Sequence, residues 1–218
     1  MPVQSDAVAV FVESLIGARS PDVFNPWGEI CESEVFPETG MQDRRQRLDS
    51  HLRCPQPSII LLGEAPGYQG CRYSGMAFTS ERLLMETGLP RVPKLSRRIT
   101  TRPRPWSEPS ATIVWGILQD LGVAEHAVLF NAFPWHPMKP GIIHSNRTPI
   151  RAEKEAGLRY LKEFLALYED HVPVAALGNT AADSLNVLGK PHTKIRHPAY
   201  GGATKFREGV CALLQKRP

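Results

Sequence analysis

The segment Ile59-Ile60-Leu61-Leu62-Gly63-Glu64-Ala65-Pro66-Gly67 constrains the fold of this chain more than any other. Consecutive large aliphatic residues leave the strand no polar face, so both of its sides must be covered, as in a parallel sheet. The run then breaks into a turn that carries one carboxylate between two glycines. In α/β proteins, ligands gather beyond the carboxyl ends of such strands, which puts Glu64 where chemistry usually happens. A tight turn with a solvated glutamate has the same local signature.

The same alternation continues along the chain. Apolar runs predict strands over 58–62, 127–130 and 172–177, with a short edge strand over 192–196. Amphipathic stretches and caps predict helices over 5–17, from Thr79 or Ser80 to Thr87, and over 109–121, 149–168, 181–188 and 203–214. Residues 18–56, interrupted by Pro21, Pro26, Pro37, Pro55 and Pro57, read as irregular, and the Arg- and Pro-rich stretch 90–108 reads as a loop. Strand and helix in alternation give an α/β class with right-handed crossovers. A length of 218 residues, 42% hydrophobic, suits one domain spanning 1–218. The carboxyl-end turns Gly63–Gly67, Asn131–His136 and Gly178–Thr180 then share one edge, joined by the segment after Arg196.

Several function classes lose ground. The chain has no GxxxxGK[ST], no GxGxxG after a strand and no GxSxG, and no His/Cys/Asp group has metal-ligand spacing. Cys31, Cys54, Cys71 and Cys211 are widely spaced and form no CxxC pair. No apolar stretch reaches bilayer length, and the N-terminal segment contains Asp6 and Glu13 and no basic leader. A cytoplasmic or nucleoid location and no membrane partner are therefore expected. Net charge is only +4, but Arg91, Lys94, Arg97, Arg98, Arg102 and Arg104 follow one another with no acid among them. Such a run is either a solvated loop or an anion-binding surface, with nucleic acid as its leading partner.

Each candidate residue has two readings. Glu64 can act as a general base, position a water, or simply sit in a turn. Asn131 ends a buried strand, where its amide can read a planar amide-like edge or serve the turn. His197 can stabilise developing negative charge or lie on the surface. Phe78 is core packing or a stacking platform. Gly178-Asn179-Thr180 can hold an anion at a helix N-terminus or only cap the helix.

Taken in order, Gly63-Glu64-Ala65-Pro66-Gly67, Gly75-Met76-Ala77-Phe78, Asn131, Gly178-Asn179-Thr180-Ala181 and His197-Pro198-Ala199 resemble the uracil-DNA glycosylase superfamily. The first motif is similar to that of the thermostable family 4 type, which is also GEAPG. The resemblance implies a single three-layer α/β/α domain with a central, mainly parallel four-stranded sheet. It implies a monofunctional DNA glycosylase that hydrolyses the N-glycosidic bond of uracil, or another deaminated base, in DNA. By position, Gly63, Ala65 and Gly67 would wall the water and the flipped base, with Glu64 as the acid of that turn. Phe78 would stack on the base, Asn131 would read its polar edge, and His197 would hydrogen-bond uracil O2. Tyr200 is the candidate wedge into the duplex, or an exposed tyrosine in a Gly-rich loop. Arg97, Arg98, Asn179, Thr180 and Lys205 are the expected DNA contacts.

The chain also departs from that pattern. Family 4 enzymes hold an iron–sulfur cluster with four cysteines, whereas here Cys31 and Cys54 lie far apart and Trp135-His136 occupies the neighbourhood of the third. No metal cluster and no cofactor are expected. The acids that usually follow GEAPG are replaced by Tyr68-Gln69-Gly70-Cys71. Ala65 stands where the first family of these enzymes has its Asp, and Gly67 where it has a thymine-blocking tyrosine. Base range therefore stays open to hypoxanthine and xanthine. A damaged- or single-stranded-DNA binding protein with little turnover, or an α/β hydrolase acting on nucleosides, remain the alternatives.

Overall fold

The computed structural model describes residues 3–215. Its elements are α1 (Val3–Ser14), β1 (Val23–Phe24), α2 (Pro37–Leu52), β2 (Ile59–Gly63), α3 (Cys71–Ser74), α4 (Glu81–Glu86), α5 (Pro109–Asp120), β3 (Ala127–Asn131), β4 (His136–Pro137), α6 (Arg151–Leu165), β5 (Val174–Leu177), α7 (Asn179–Val187), β6 (Thr193–Ile195) and α8 (Ala203–Gln215). The main sheet runs β3-β2-β5-β6 with every pair parallel, and β1 pairs antiparallel with β4.

Alternate residues of each strand face opposite layers. Ile60, Leu62, Val128, Phe130, Val174 and Ala176 pack with residues of α1, α2, α6 and α7. Ile59, Leu61, Ala127, Leu129, Ala175 and Leu177 pack with residues of α4, α5 and α8. Both faces of the sheet are thus covered, giving three layers, and this is why β2 and β3 tolerate no polar residue before their ends. Each of the Val, Ile, Leu and Phe side chains among them, removed from water, contributes about 1.5–3 kcal/mol.

Helix α2 corrects the expectation of irregular chain over 18–56. Pro37 sits in its first turn, where a missing N–H is no loss, so the residue read as a breaker is a starter. Apolar periodicity is weak because the buried face carries Arg44, Arg47 and His51 beside Leu48 and Leu52. These polar side chains bond to backbone. Arg47 Nε donates to Ser74 O at 2.6 Å, and His51 Nε2 accepts the Leu129 N–H at 2.9 Å.

The last contact closes an exposed edge. β3 is a terminal strand, and a bare edge invites pairing with other chains. His51 takes its outward N–H at Leu129, while Arg91 Nη2 donates to Ala127 O at 2.9 Å. Burial lowers the His51 pKa to about 3. Burial and the Arg72 charge lower that of His136 to about 4. Both histidines fold as neutral rings, whereas the unfolded chain protonates them near 6.5. Below that pH the unfolded state binds more protons, so stability falls as pH falls, by about 1.4 kcal/mol per pH unit for each ring. Urea unfolding midpoints measured from neutral pH into the mildly acidic range are expected to drop. His51→Gln, whose amide oxygen still accepts from Leu129, is expected to flatten the slope. A midpoint that does not move with pH would contradict both assignments.

The 90–108 segment is a loop, as its prolines predict, but a specifically held one. The buried Glu81 carboxylate accepts from Arg98 Nε at 2.8 Å, Ile99 N at 2.9 Å, Thr100 N at 3.0 Å, Thr100 Oγ1 at 2.7 Å and Trp106 N at 3.0 Å. Burial works to raise its pKa, yet Arg98, Thr100 and Trp106 outweigh that and hold it below the usual carboxylate value.

Candidate active site

The parallel register places Gly63 beside Asn131 at the carboxyl ends of β2 and β3. Beyond them opens a cavity of about 650 Å³, walled by Glu64, Phe78, Asn131 and His197 among others. The motif turn is tied to the chain after β3, since Ala132 N donates to Gly63 O at 2.9 Å and Phe133 N to Glu64 O at 3.0 Å. Ala65 and Gly67 also line the cavity.

Gly63 is glycine because of what crosses it. A Cβ there would lie 2.6 Å from Asn131 Oδ1 and 2.8 Å from Phe78 Cζ. The Asn131 amide and the Phe78 ring therefore converge over one bare backbone position. Phe78 adopts φ +50, a left-handed conformation that costs a non-glycine residue about 1–3 kcal/mol and persists only where its surroundings impose it. The constraint comes from both sides. Gly75 ends α3 at φ 77, Thr79 Oγ1 donates to Ala77 O at 3.1 Å, and Ser80 caps α4 through Leu83 N.

His197 follows β6. Its Nδ1 accepts the Ala199 N–H at 3.2 Å, so the single proton of the neutral ring is on Nε2. Burial lowers the pKa of this ring, Arg196 lowers it further, and Glu64 opposes both. The result is a neutral imidazole with a fixed N–H donor. Its ring centroid lies 6.0 Å from that of Phe78, with 40° between the planes.

Glu64 Oε2 accepts from Thr180 Oγ1 at 2.6 Å. Its other oxygen has no protein partner among the described residues. Thr180 is buried, and its hydroxyl is donated to the Glu64 carboxylate. Asn179 begins α7 in an exposed position. Tyr200 lines the cavity mouth at φ 53, 98% exposed, with Gly201 at φ 74 behind it. Lys205 is exposed on α8. Arg97 and Arg98 lie away from this cavity: the Arg97 guanidinium covers the Phe36 ring at 4.1 Å, and Arg98 is committed to Glu81.

Three wall residues escaped the sequence reading. Asn146 Oδ1 accepts from Tyr68 N at 3.0 Å and from His136 Nε2 at 3.2 Å, which fixes the Asn146 amide beside Gly67. Glu108 accepts from Ser110 Oγ at 2.6 Å, and burial pushes its pKa up. Arg147 is paired with Glu153 at 2.6 Å. Glu108 was legible only as the residue before a helix, and the loop containing Asn146 and Arg147 carries no periodic signal.

This arrangement suits a planar heterocycle. Phe78 offers a face, Asn131 offers donors and an acceptor to one polar edge, and His197 offers an N–H. One Glu64 oxygen remains to hold a water. A four-cysteine cluster does not fit: Cys31, Cys54 and Cys71 are buried, Cys211 is on α8, and no group of three His, Cys, Asp or Glu side chains that could hold a metal exists among the described residues.

Sequence and structure comparisons agree with that geometry. The family model of the uracil DNA glycosylase superfamily matches residues 51–215. The crystal structure of wild-type Pedobacter heparinus SMUG2 superposes with a TM-score of 0.66 at 17% identity, covering 97% of this chain and 95% of that one. No curated protein matches the chain.

Proposed function

The chain belongs to the uracil DNA glycosylase superfamily, and on that footing we propose that it hydrolyses the N-glycosidic bond of uracil, or of another deaminated base, flipped out of DNA. Superfamily members are DNA glycosylases. The observation that carries it is the convergence of Phe78 and Asn131 over Gly63, opposite a neutral His197 whose proton is fixed on Nε2.

A base within a duplex is out of reach and must be extruded, at a cost of a few kcal/mol. Stacking on Phe78 and hydrogen bonds to Asn131 offset part of that. The bond between base N1 and C1′ breaks with its electron pair going to the base, so charge develops on the ring and at O2. The His197 Nε2–H donates to that oxygen. A fixed donor aimed at developing charge in a water-poor site is typically the largest catalytic contribution. The sugar is left electron-poor at C1′. Water held at Glu64 adds there through oxygen and gives a proton to the carboxylate, and the base anion takes a proton from solvent. Thr180 keeps the Glu64 carboxylate oriented throughout.

Pure protein incubated with oligonucleotides carrying one uracil, hypoxanthine or xanthine, then treated with alkali, tests this. Strand scission at uracil is expected. No scission at any of the three, in single- or double-stranded DNA, would overturn the reading in favour of a binding protein.

A further inference from the structure

Next to the cavity lies an aromatic surface that the proposed reaction does not use. Tyr68 follows the cavity-lining Gly67, and its backbone N–H is bonded to the cavity-lining Asn146. The Tyr68 ring meets Trp106 edge-on at 5.2 Å. His144 lies 5.3 Å from Trp106 and 6.1 Å from Tyr68. Beneath them Tyr73 stacks on Trp106 at 6.0 Å and 12°, and its hydroxyl is hydrogen-bonded to His144 Nε2 at 3.0 Å. The exposed Arg102 places its guanidinium 3.6 Å over Trp106.

Three features make this a surface for a ligand. His144 is exposed in a loop, where an imidazole would ordinarily rotate, yet it is anchored from below, so little side-chain entropy remains to be lost on stacking. Its pKa is lowered by burial and by Arg72 and Arg102, so the ring presented is neutral. The cation at its edge, Arg102 over Trp106, belongs to a stretch with no acid from Arg91 to Arg104. Flat π-faces with an adjacent cation match a ligand that carries one planar base and one phosphate per unit, as single-stranded nucleic acid does.

We propose that Tyr68 and His144 form a stacking platform for the nucleotide next to the flipped one, on the same strand, with Arg102 against its phosphate. The inference rests on the glycosylase reading, because flipping a nucleotide deprives its neighbours of a stacking partner and leaves one free to lie on the rim. It assigns the DNA contact of the basic loop to Arg102, at the cavity side, in place of Arg97 and Arg98.

The test uses a single-stranded oligonucleotide with 2′-fluoro-deoxyuridine at the target, so that binding is measured without turnover. A baseless tetrahydrofuran spacer replaces the neighbour on one side and then the other, and fluorescence anisotropy gives Kd. For the wild-type protein, one of the two spacers is expected to weaken binding by roughly 5- to 100-fold. Tyr68→Ala/His144→Ala is expected to bind the intact strand that much more weakly and to ignore the spacer. Tyr68→Phe, which keeps its ring and leaves His144 anchored to Tyr73, is expected to behave as wild type. Indifference of the wild type to both spacers, or equal losses in the Phe and Ala variants, would overturn the platform. Excision of uracil with no spacer effect would defeat the platform alone. A spacer effect without excision of any base would defeat the glycosylase reading alone.

Discussion

Replacing His197 by alanine is expected to slow base release by about 10²–10³-fold, the usual effect of removing one preorganised donor to a developing oxyanion. DNA affinity should change little, because in the ground state the base oxygen carries little charge for the imidazole to recognise. The expectation follows from two observations: Nδ1 is occupied by the Ala199 N–H, and burial keeps the ring neutral. The donor is therefore Nε2–H, and no other proton on this side chain can substitute. Single-turnover release rates and anisotropy on the same oligonucleotide separate the two quantities. Equal losses in rate and affinity would show that His197 positions DNA and does not stabilise the leaving base.

Glu64→Gln is expected to reduce the release rate by about 10²–10⁴-fold, the range for removing a positioned general base. The amide has nearly the shape of the carboxylate and can still accept from Thr180 Oγ1, so thermal stability should be close to wild type. What it loses is the basic oxygen that orients the water and takes its proton. Ala65 offers no second acid in this turn. Thr180→Val tests the positioning role separately: Glu64 keeps its charge but loses its 2.6 Å partner, so a smaller rate loss than that of Glu64→Gln is expected. Wild-type release by Glu64→Gln in single turnover would remove Glu64 from the mechanism.

Much of the scaffold was legible in the sequence because its signals are local. β2 and β3 are continuously apolar, Gly88 and Gly122 adopt positive φ just past the expected helix ends at Thr87 and 121, and Ser80 caps α4. The order of strand-end residues was equally legible, and parallel register turns that order into proximity: Gly63 and Asn131 are 68 positions apart in sequence and paired in the sheet. What escaped depends on partners. α2 hides because its inner face is lined by Arg44, Arg47 and His51, whose acceptors lie elsewhere in the chain. The basic run read as a solvated loop or one anion-binding surface, but its cations part ways: Arg91 bonds the edge of β3, Arg98 the buried Glu81, Arg97 covers Phe36 and Arg102 covers Trp106. Thr180 read as an anion or DNA contact in a turn that could also only cap a helix, and only the fold brings it to Glu64.

The measurement that bears most directly on the account is the quantitation of free base and abasic sites after single-turnover incubation of the protein with uracil-containing DNA. Free uracil and abasic sites in equal amounts are predicted, with both reduced together in His197→Ala and Glu64→Gln. Retention of the DNA with no free base, unchanged by either substitution, would contradict the account.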